Sequence, residues 1–430
     1  MSNIALNKLL IRLGKLYPKY IDLSLKRLEI LLKKLNNPHL KLPPTIHIAG
    51  TNGKGSTLSF IKHILIENDY KIHCYISPHL ESIRERFIIA NKTISNKKLY
   101  ETLKYIELIN NKNPITFFEI TTAAAFYLFC NKNADFLILE TGLGGRCDAT
   151  NIIKKSMIDI ITPISFDHQE YLGKTLKKIT NEKLGIIKKN SSVIISKQNK
   201  DIMEYIKIKL KKMNNNKLFY GKDWEVFKIK KNKFILSLKN KKQIINKPTL
   251  IGNHQIENAS LAIASIYEIK KYGYKIKKNK INNGIIKTKW PGRMERLYLK
   301  NLPVYLDGAH NVSGAKQLVN FLNDEKIITW LIFGMLKNKD IYLFLKSLSK
   351  HISGVIAIKI PDEKNSFTTE EIYKTCKKLN IFCVKQRDIY SAQQYLLKNQ
   401  YTKRIVVTGS LYLVGKIRKL FKQTIINPIN

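Results

Sequence analysis

Apolar residues recur with helical spacing in two stretches near the start, Leu6 to Leu16 and Leu23 to Leu35, separated by Pro18. In the second, Leu25, Leu28, Leu32 and Leu35 share one face, and Pro38 followed by Pro43-Pro44 marks its end. Thr45 to Ala49 then reads as a short strand. A Gly-rich turn follows it, and then an amphipathic helix through Leu58, Ile61, Ile64 and Leu65. Lys71 to Ile76 predicts another strand, Thr121 to Cys130 a helix, and Phe136 to Leu139 a strand. Ile158–Ile161 and Val193–Ile195 are short apolar runs of the kind buried on both faces. Trp224 to Leu238 alternates in shorter β pieces, a local excursion, and His254 to Tyr272 is helical.

The pattern breaks near Trp290-Pro291-Gly292-Arg293, and a second βα series follows it. Its strands are expected at Val304–Leu306, Trp330–Phe333, Val355–Ile360 and Ile405–Val407. Strands alternating with helical stretches predict an α/β protein with parallel sheets. Two domains are expected, a larger one over 1–297 and a smaller open α/β domain over 298–430.

Composition changes this picture little. The 430 residues are 44% hydrophobic and 10% aromatic, a globular composition long enough for two cores. No apolar run approaches the ~20 residues of a membrane span. Met1 to Gly14 lacks the apolar core of a signal peptide, so a cytoplasmic protein is expected. The five cysteines, Cys74, Cys130, Cys147, Cys376 and Cys383, form no Cys-x-x-Cys pair and indicate neither a disulfide framework nor a zinc site.

Charge is the loudest signal: 76 Lys plus Arg against 32 Asp plus Glu, a formal net charge of +44. Clustered cations would point to nucleic acid. Here lysine is spread from end to end, and runs such as Lys228–Lys233 and Lys275–Lys280 read as solvated turns. A general surface bias explains this, with weak steering of anionic substrates. No nucleic-acid partner and no membrane is expected.

The chemistry centres on Ala49-Gly50-Thr51-Asn52-Gly53-Lys54-Gly55-Ser56, between a strand and a helix. Glycines let backbone N–H groups curl around an anion, and a helix N-terminus adds partial positive charge. Lys54 can neutralise the outer phosphates, and a hydroxyl at Ser56 or Thr57 can reach a magnesium ion. The loop departs from the strict G-x-x-x-x-G-K-[ST] form: Ile48 replaces the first Gly, and Gly55 separates Lys54 from Ser56. Glu140 closes one strand ahead of Gly142, Gly144 and Gly145, and Asp167-His168 follows another. Asp307-Gly308-Ala309-His310-Asn311 and Gly409-Ser410 also follow strands. Ligands of open α/β sheets gather at such carboxyl ends. Taken alone, each of these is also ordinary turn chemistry, and His168 is an unusual magnesium ligand.

Together these residues resemble the folylpolyglutamate synthase/dihydrofolate synthase family, the folate branch of the Mur ligases. The likeness runs almost end to end. It takes in Ile21-Asp22-Leu23, Gly50–Ser56, Ser77-Pro78-His79-Leu80, Arg84-Glu85-Arg86 and Thr116-Phe117-Phe118-Glu119. It continues through Glu140–Asn151, Asp167-His168-Gln169, Glu182–Ile186, Trp290–Arg293, Asp307–Asn311 and Gly409–Leu413. The resemblance implies a P-loop NTPase-like N-terminal domain and a smaller Rossmann-like α/β C-terminal domain. It implies ATP contacts from Gly53, Lys54, Gly55, Ser56, Asn258, Arg293 and Asp307. Magnesium ligands would be Ser77, Glu140 and His168, with Lys183 carried as a carbamate. Asp22, Leu23, Thr116, Asp148 and Ala149 would bind pteroate, and His310 and Ser410 would lie near the incoming glutamate. Lys54, Lys183 and His168 are the residues implied to carry the chemistry. Departures are small: Thr141 stands for the commoner Val, Val312 where Pro is common, and Leu184 where Ala follows the carbamylated lysine.

The implied reaction is ATP-dependent joining of glutamate to dihydropteroate or to folates through an acyl-phosphate, in a monomeric bifunctional enzyme. The matches at Asp22, Thr116 and Asp148 favour the bifunctional form over polyglutamylation alone. A basic P-loop ATPase acting on nucleic acid would explain the charge but not Glu140, His168 and Lys183. A cell-wall Mur ligase would carry a separate N-terminal nucleotide-sugar domain, and a phosphate loop at Gly50 leaves no room for one.

Overall fold

The computed structural model describes residues 3–17, 22–230, 232–323, 327–398 and 402–426. Met1, Pro18, Ile21 and Lys231 lie outside the described residues. The chain divides into two compact units. The first comprises Met1–Ser165, Gln169–Thr249 and Ile256–Thr288. The second comprises Phe166–His168, Leu250–Gln255 and Lys289–Asn430.

The first unit opens with α1 (Asn3–Leu13) and α2 (Lys26–Lys34), where Leu28, Leu31 and Leu32 are buried. Its main sheet contains β1 (Thr45–Ala49), β2 (Ile72–Tyr75), β3 (Phe87–Ile89) and β4 (Lys92–Thr93). The others are β5 (Phe136–Glu140), β6 (Ile158–Ile161), β7 (Ser192–Ile195) and β8 (Asn216–Phe219). The order is β4-β3-β2-β5-β1-β6-β7-β8. All pairings from β2 to β8 are parallel, as the apolar runs predict, and β3 and β4 add an antiparallel edge. β1, β5, β6 and β7 are buried along their whole length because helices cover both faces.

Those helices include α3 (Lys54–Glu67), α4 (Asn96–Asn110), α5 (Phe117–Cys130), α6 (Gln169–Leu172) and α7 (Leu176–Leu184). α5 begins four residues before the expected Thr121, because Thr116 and Glu119 form a capping box there. The β excursion is a separate antiparallel sheet of β9 (Trp224–Lys230), β10 (Lys233–Leu238) and β11 (Lys241–Asn246). Lys278–Lys280, expected in a turn, instead opens the helix Lys278–Lys287, whose buried Ile281 and Ile285 hold one face against the unit.

The second unit has a six-stranded sheet in the order β12-β13-β17-β14-β15-β16. Its strands are β12 (Glu295–Leu299), β13 (Leu302–Leu306), β14 (Thr329–Phe333), β15 (Gly354–Ala357), β16 (Cys383–Lys385) and β17 (Arg404–Thr408). Only β12 runs antiparallel to its neighbour. β15 stops at Ala357, short of the expected Ile360, where Ile360 N turns to the Ser366 hydroxyl at 3.1 Å. All five cysteines are free thiols. No helix among the described residues is long and apolar enough to cross a membrane.

Candidate active site

In the first unit the carboxyl ends of β1, β5 and β6 lie side by side. The loop between β1 and α3 begins there. N–H groups of Thr51 and Asn52 donate to the Pro163 carbonyl at 2.9 and 3.3 Å, fastening the loop to the segment after β6. Gly53 caps α3 with φ +85°, and a Cβ at that position would come within 2.5 Å of Asn258 Oδ1. Glycine is therefore required, and Asn258 is held against the loop. Gly53 supplies no side-chain cap, and an N-terminus of this kind, with its first-turn N–H groups uncapped by a side chain, suits an anion cradle. Lys54 Nζ folds over the loop and donates to the carbonyls of Gly50 at 3.1 Å and Thr51 at 3.4 Å. Gly55, Ser56 and Thr57 are buried, and Thr57 Oγ1 has no hydrogen-bond partner among the described residues.

Beside the cradle, Glu140 ends β5 with its side chain buried, and its Oε2 accepts from Ser77 N at 3.3 Å. Ser77 Oγ is buried without a hydrogen-bond partner among the described residues. A buried hydroxyl next to a buried carboxylate suits a hard cation that takes oxygen ligands. Among the described residues no cluster of three or more His, Cys, Asp or Glu is placed to hold a metal ion.

The Gly142–Gly145 loop seats the helix that carries Lys183. A Cβ on Gly145 would lie 2.5 Å from the Glu182 carbonyl. Arg146 N donates to that same carbonyl at 2.7 Å, and its guanidinium pairs with the Glu182 carboxylate at 3.0 Å. Asn151 Nδ2 donates to the carbonyls of Arg146 and Gly185 at 2.9 and 3.0 Å. Held in this way, Lys183 is 4% exposed and its Nζ donates to the Gly50 carbonyl at 2.9 Å. Lys54 and Lys183 thus share one acceptor.

The candidate pteroate residues occupy several segments of the same unit. Asp22 Oδ2 accepts from Tyr17 OH at 2.6 Å, and Leu23 packs against the core cluster that also meets Leu143. Thr116 caps α5. Asp148 is 2% exposed, and its oxygens accept from Leu143 N at 2.7 Å, Thr150 N at 3.0 Å and Thr150 Oγ1 at 2.6 Å. Burial raises its carboxyl pKa against the opposing pull of these bonds. Its carboxylate shapes the Gly-rich loop, and Ala149 follows in the short helix Ala149–Ile152. His47, unremarked in the sequence, completes the chain: its Nε2 meets Thr150 Oγ1 at 2.8 Å. Burial pushes the imidazole down to about 3, so it is neutral. Since Thr150 Oγ1 donates to Asp148, His47 Nε2 is assigned as the donor.

In the second unit the site residues follow β13 and β17. Asp307 accepts from Met294 N and Ala309 N, both at 2.9 Å. Gly308 lies against Arg293, where a Cβ would come within 2.4 Å of Nη1. His310 Nδ1 donates to the Gly308 carbonyl at 2.8 Å. Gly409 N donates to the Ala309 carbonyl at 3.0 Å, bringing Ser410 beside this loop, and Ser410 Oγ accepts from Tyr412 N at 3.1 Å.

His168 groups with this second unit, whereas Ser77, Glu140 and Lys183 belong to the first. Asp167 is ion-paired with Lys339, lies 3.6 Å from His310 Nε2 and accepts from Asn311 at 3.2 Å. Burial alone would raise the Asp167 carboxyl. The hydrogen bond and charge of His310, with Lys339 and His168, instead hold it far below the usual carboxylate range. Lys339 Nζ also lies 3.2 Å from His168 Nε2. Lys339 was missed in the sequence, although the polar run after β14 sits at a strand carboxyl end like those after β13 and β17.

Residues 48–266 match the Mur ligase middle domain, and residues 293–420 match the dihydrofolate synthetase C-terminal domain. The chain is 30% identical to the probable dihydrofolate synthetase of Schizosaccharomyces pombe, over 94% of this chain and 99% of the relative. It is likewise 30% identical to the dihydrofolate synthase/folylpolyglutamate synthase of Bacillus subtilis, over 93% and 95%. Its fold is similar to that of E. coli FolC solved with DHPP and ADP, at 25% identity and a TM-score of 0.88, covering 97% of this chain and 98% of that one. The chain belongs to the folylpolyglutamate synthase/dihydrofolate synthase family of the Mur ligases, a family of ATP-dependent glutamate ligases.

Proposed function

We propose that this protein is a bifunctional dihydrofolate synthase/folylpolyglutamate synthase, joining L-glutamate to dihydropteroate and to folates at the expense of ATP. The observation that carries the reading is the anion cradle at α3, with Lys54 and Lys183 converging on Gly50 beside Glu140 and Ser77. A carboxylate is a poor acyl donor. One of its oxygens therefore attacks the γ-phosphorus of ATP and ADP departs. The glutamate amine then attacks the acyl carbon, and phosphate leaves with the carboxylate oxygen as the amide forms and the amine proton passes to solvent.

The first-turn N–H groups of α3 and Lys54 hold the phosphates and stabilise charge on the transferring group. Asn258, Arg293 and Asp307 are assigned to the nucleotide, and His310 and Ser410 to the incoming glutamate. Asp22, Leu23, Thr116, Asp148 and Ala149 are assigned to the pteroate site, with Asp148 acting through the loop it shapes. Ser77 and Glu140 offer oxygen ligands for magnesium, and the family resemblance adds His168 and a carbamate on Lys183. When bound, the ion would neutralise phosphate charge. Lys54 and Lys183 both reach the Gly50 carbonyl, so carbon dioxide added at Lys183 would set a carboxylate near the Lys54 charge, an attractive arrangement that supports the carbamate.

The test is an ATP- and glutamate-dependent assay run separately with dihydropteroate and with a reduced folate, and read by product mass. Both are expected to gain glutamate. Product from the reduced folate alone would restrict the enzyme to polyglutamylation, and no ATP-dependent product from either would overturn the reading.

A further inference from the structure

Arg27, on α2, is the hub of a charge network, and neither it nor its partner Glu119 has a part in the reaction described above. Its guanidinium grips the Glu119 carboxylate at two points, Nε to Oε2 at 3.1 Å and Nη2 to Oε1 at 3.0 Å. On its other side it reaches Asp22, with Nη1 3.3 Å from Oδ2 and Nη2 3.3 Å from the Asp22 carbonyl. The Tyr17 ring covers the guanidinium at 4.6 Å, and Tyr17 OH donates to the same Asp22 oxygen at 2.6 Å. Glu119 is 3% exposed. Its Oε2 also accepts from Thr116 N at 2.7 Å, and Thr116 Oγ1 in return accepts from Glu119 N at 3.2 Å.

One side chain therefore ties Asp22 to Thr116, two residues from distant parts of the chain that are both assigned to the pteroate site. Packing α2 against α5 does not require this. Leu28, Leu31 and Leu32 already belong to the core cluster that holds Ile120, Ala123 and Ala124 of α5. A buried ion pair is a poor source of stability compared with apolar contacts of the same volume. Its value lies in geometry: a planar, two-point clamp fixes the direction of both partners.

We propose that Arg27, clamped by Glu119, is a positioning residue of the pteroate pocket that sets affinity for the acceptor substrate. The proposal rests on the assignment of pteroate to Asp22 and Thr116. Arg27 acts through these neighbours, so its loss weakens acceptor binding and leaves the handling of ATP and glutamate in place.

The experiment compares Arg27→Met, Arg27→Lys and Glu119→Gln with the wild type, varying dihydropteroate, ATP and glutamate in turn. Circular dichroism melts serve as the folding control. Arg27→Met is expected to raise the KM for dihydropteroate by about tenfold or more, the size of a lost charge-assisted hydrogen bond that orients a ligand group. The KM values for ATP and glutamate should stay within about twofold, a change too small to represent a lost hydrogen bond. Arg27→Lys should recover part of the loss, since it keeps the charge without the fork. Glu119→Gln should shift the same KM, and it carries the test alone if Arg27→Met does not fold. An unchanged KM for dihydropteroate, or an equal rise in all three, overturns the proposal while leaving the ligase reading intact. A wild type that never turns over dihydropteroate removes the dihydropteroate assignment, and this inference with it.

Discussion

The ammonium groups of Lys54 and Lys183 meet at one atom, the Gly50 carbonyl oxygen, at 3.1 and 2.9 Å. One lysine comes from the phosphate loop's own helix and the other from α7, more than a hundred residues later in the chain. The contact joins the phosphate loop to the helix that the Gly142–Gly145 loop seats.

Lys183 separates two chemical states. As a carbamate it supplies carboxylate oxygens, so Lys183→Ala should be almost inactive and acetate should partly restore turnover. Removing bicarbonate and carbon dioxide should reversibly lower wild-type activity. A plain ammonium predicts rescue by small amines and no dependence on bicarbonate.

Lys54→Ala should lower kcat by about a hundredfold or more, the usual loss when a group stabilising transition-state charge is removed. The melting temperature should hold, because Lys54 Nζ donates to the loop carbonyls of Gly50 and Thr51 and the substitution deletes no core volume. Undiminished turnover in a folded variant would refute the phosphate-loop assignment.

Gly145→Ala should displace α7. The new Cβ would meet the Glu182 carbonyl at 2.5 Å, and backbone on both sides must shift, at a cost of about 1–3 kcal/mol. Activity should fall further than stability, since Lys183 is the next residue. Thermal melts and kcat measured on the same sample check this.

His47 gives the protein a defined acid sensitivity. Its folded pKa of about 3 lies below the ordinary value of 6.5, so the unfolded state binds the proton first. The stability it contributes is complete above pH 6.5 and declines as pH falls. Between pH 6.5 and 5 the loss amounts to about 2 kcal/mol. Denaturant titrations should show this slope in the wild type and a flatter one in His47→Gln. Equal slopes would place His47 outside the buried, neutral state.

Much of this architecture was legible in the chain. β1, β5, β6 and β7 are short apolar runs flanked by turns, and such runs have few alternatives to a buried parallel strand. The phosphate loop was legible because glycine, lysine and hydroxyl spacing is dictated by backbone geometry around an anion. Arg27, Glu119, His47 and Lys339 were not legible as site residues. The pairings that matter, Arg27 with Glu119, His47 with Thr150 and Lys339 with Asp167, join residues far apart in sequence, and no local spacing records them. The first turn of the helix Lys278–Lys287 was hidden for a different reason: its lysines read as a loop until Ile281 and Ile285 find a surface to cover.

The positive charge is read here as surface bias. Specific activity should therefore be the same with and without added DNA or RNA at physiological salt. Binding of a defined nucleic acid that stimulates ATP hydrolysis would reverse that reading.

Glutamate ligation through an acyl-phosphate leaves its record in the fate of one oxygen atom. Dihydropteroate carrying 18O in its carboxylate is incubated with the enzyme, ATP and glutamate, and the released phosphate is analysed by mass. The expected products are ADP, dihydrofolate and phosphate carrying one 18O per amide formed. Amide formed with unlabelled phosphate, or ATP cleaved to AMP, would contradict the acyl-phosphate route.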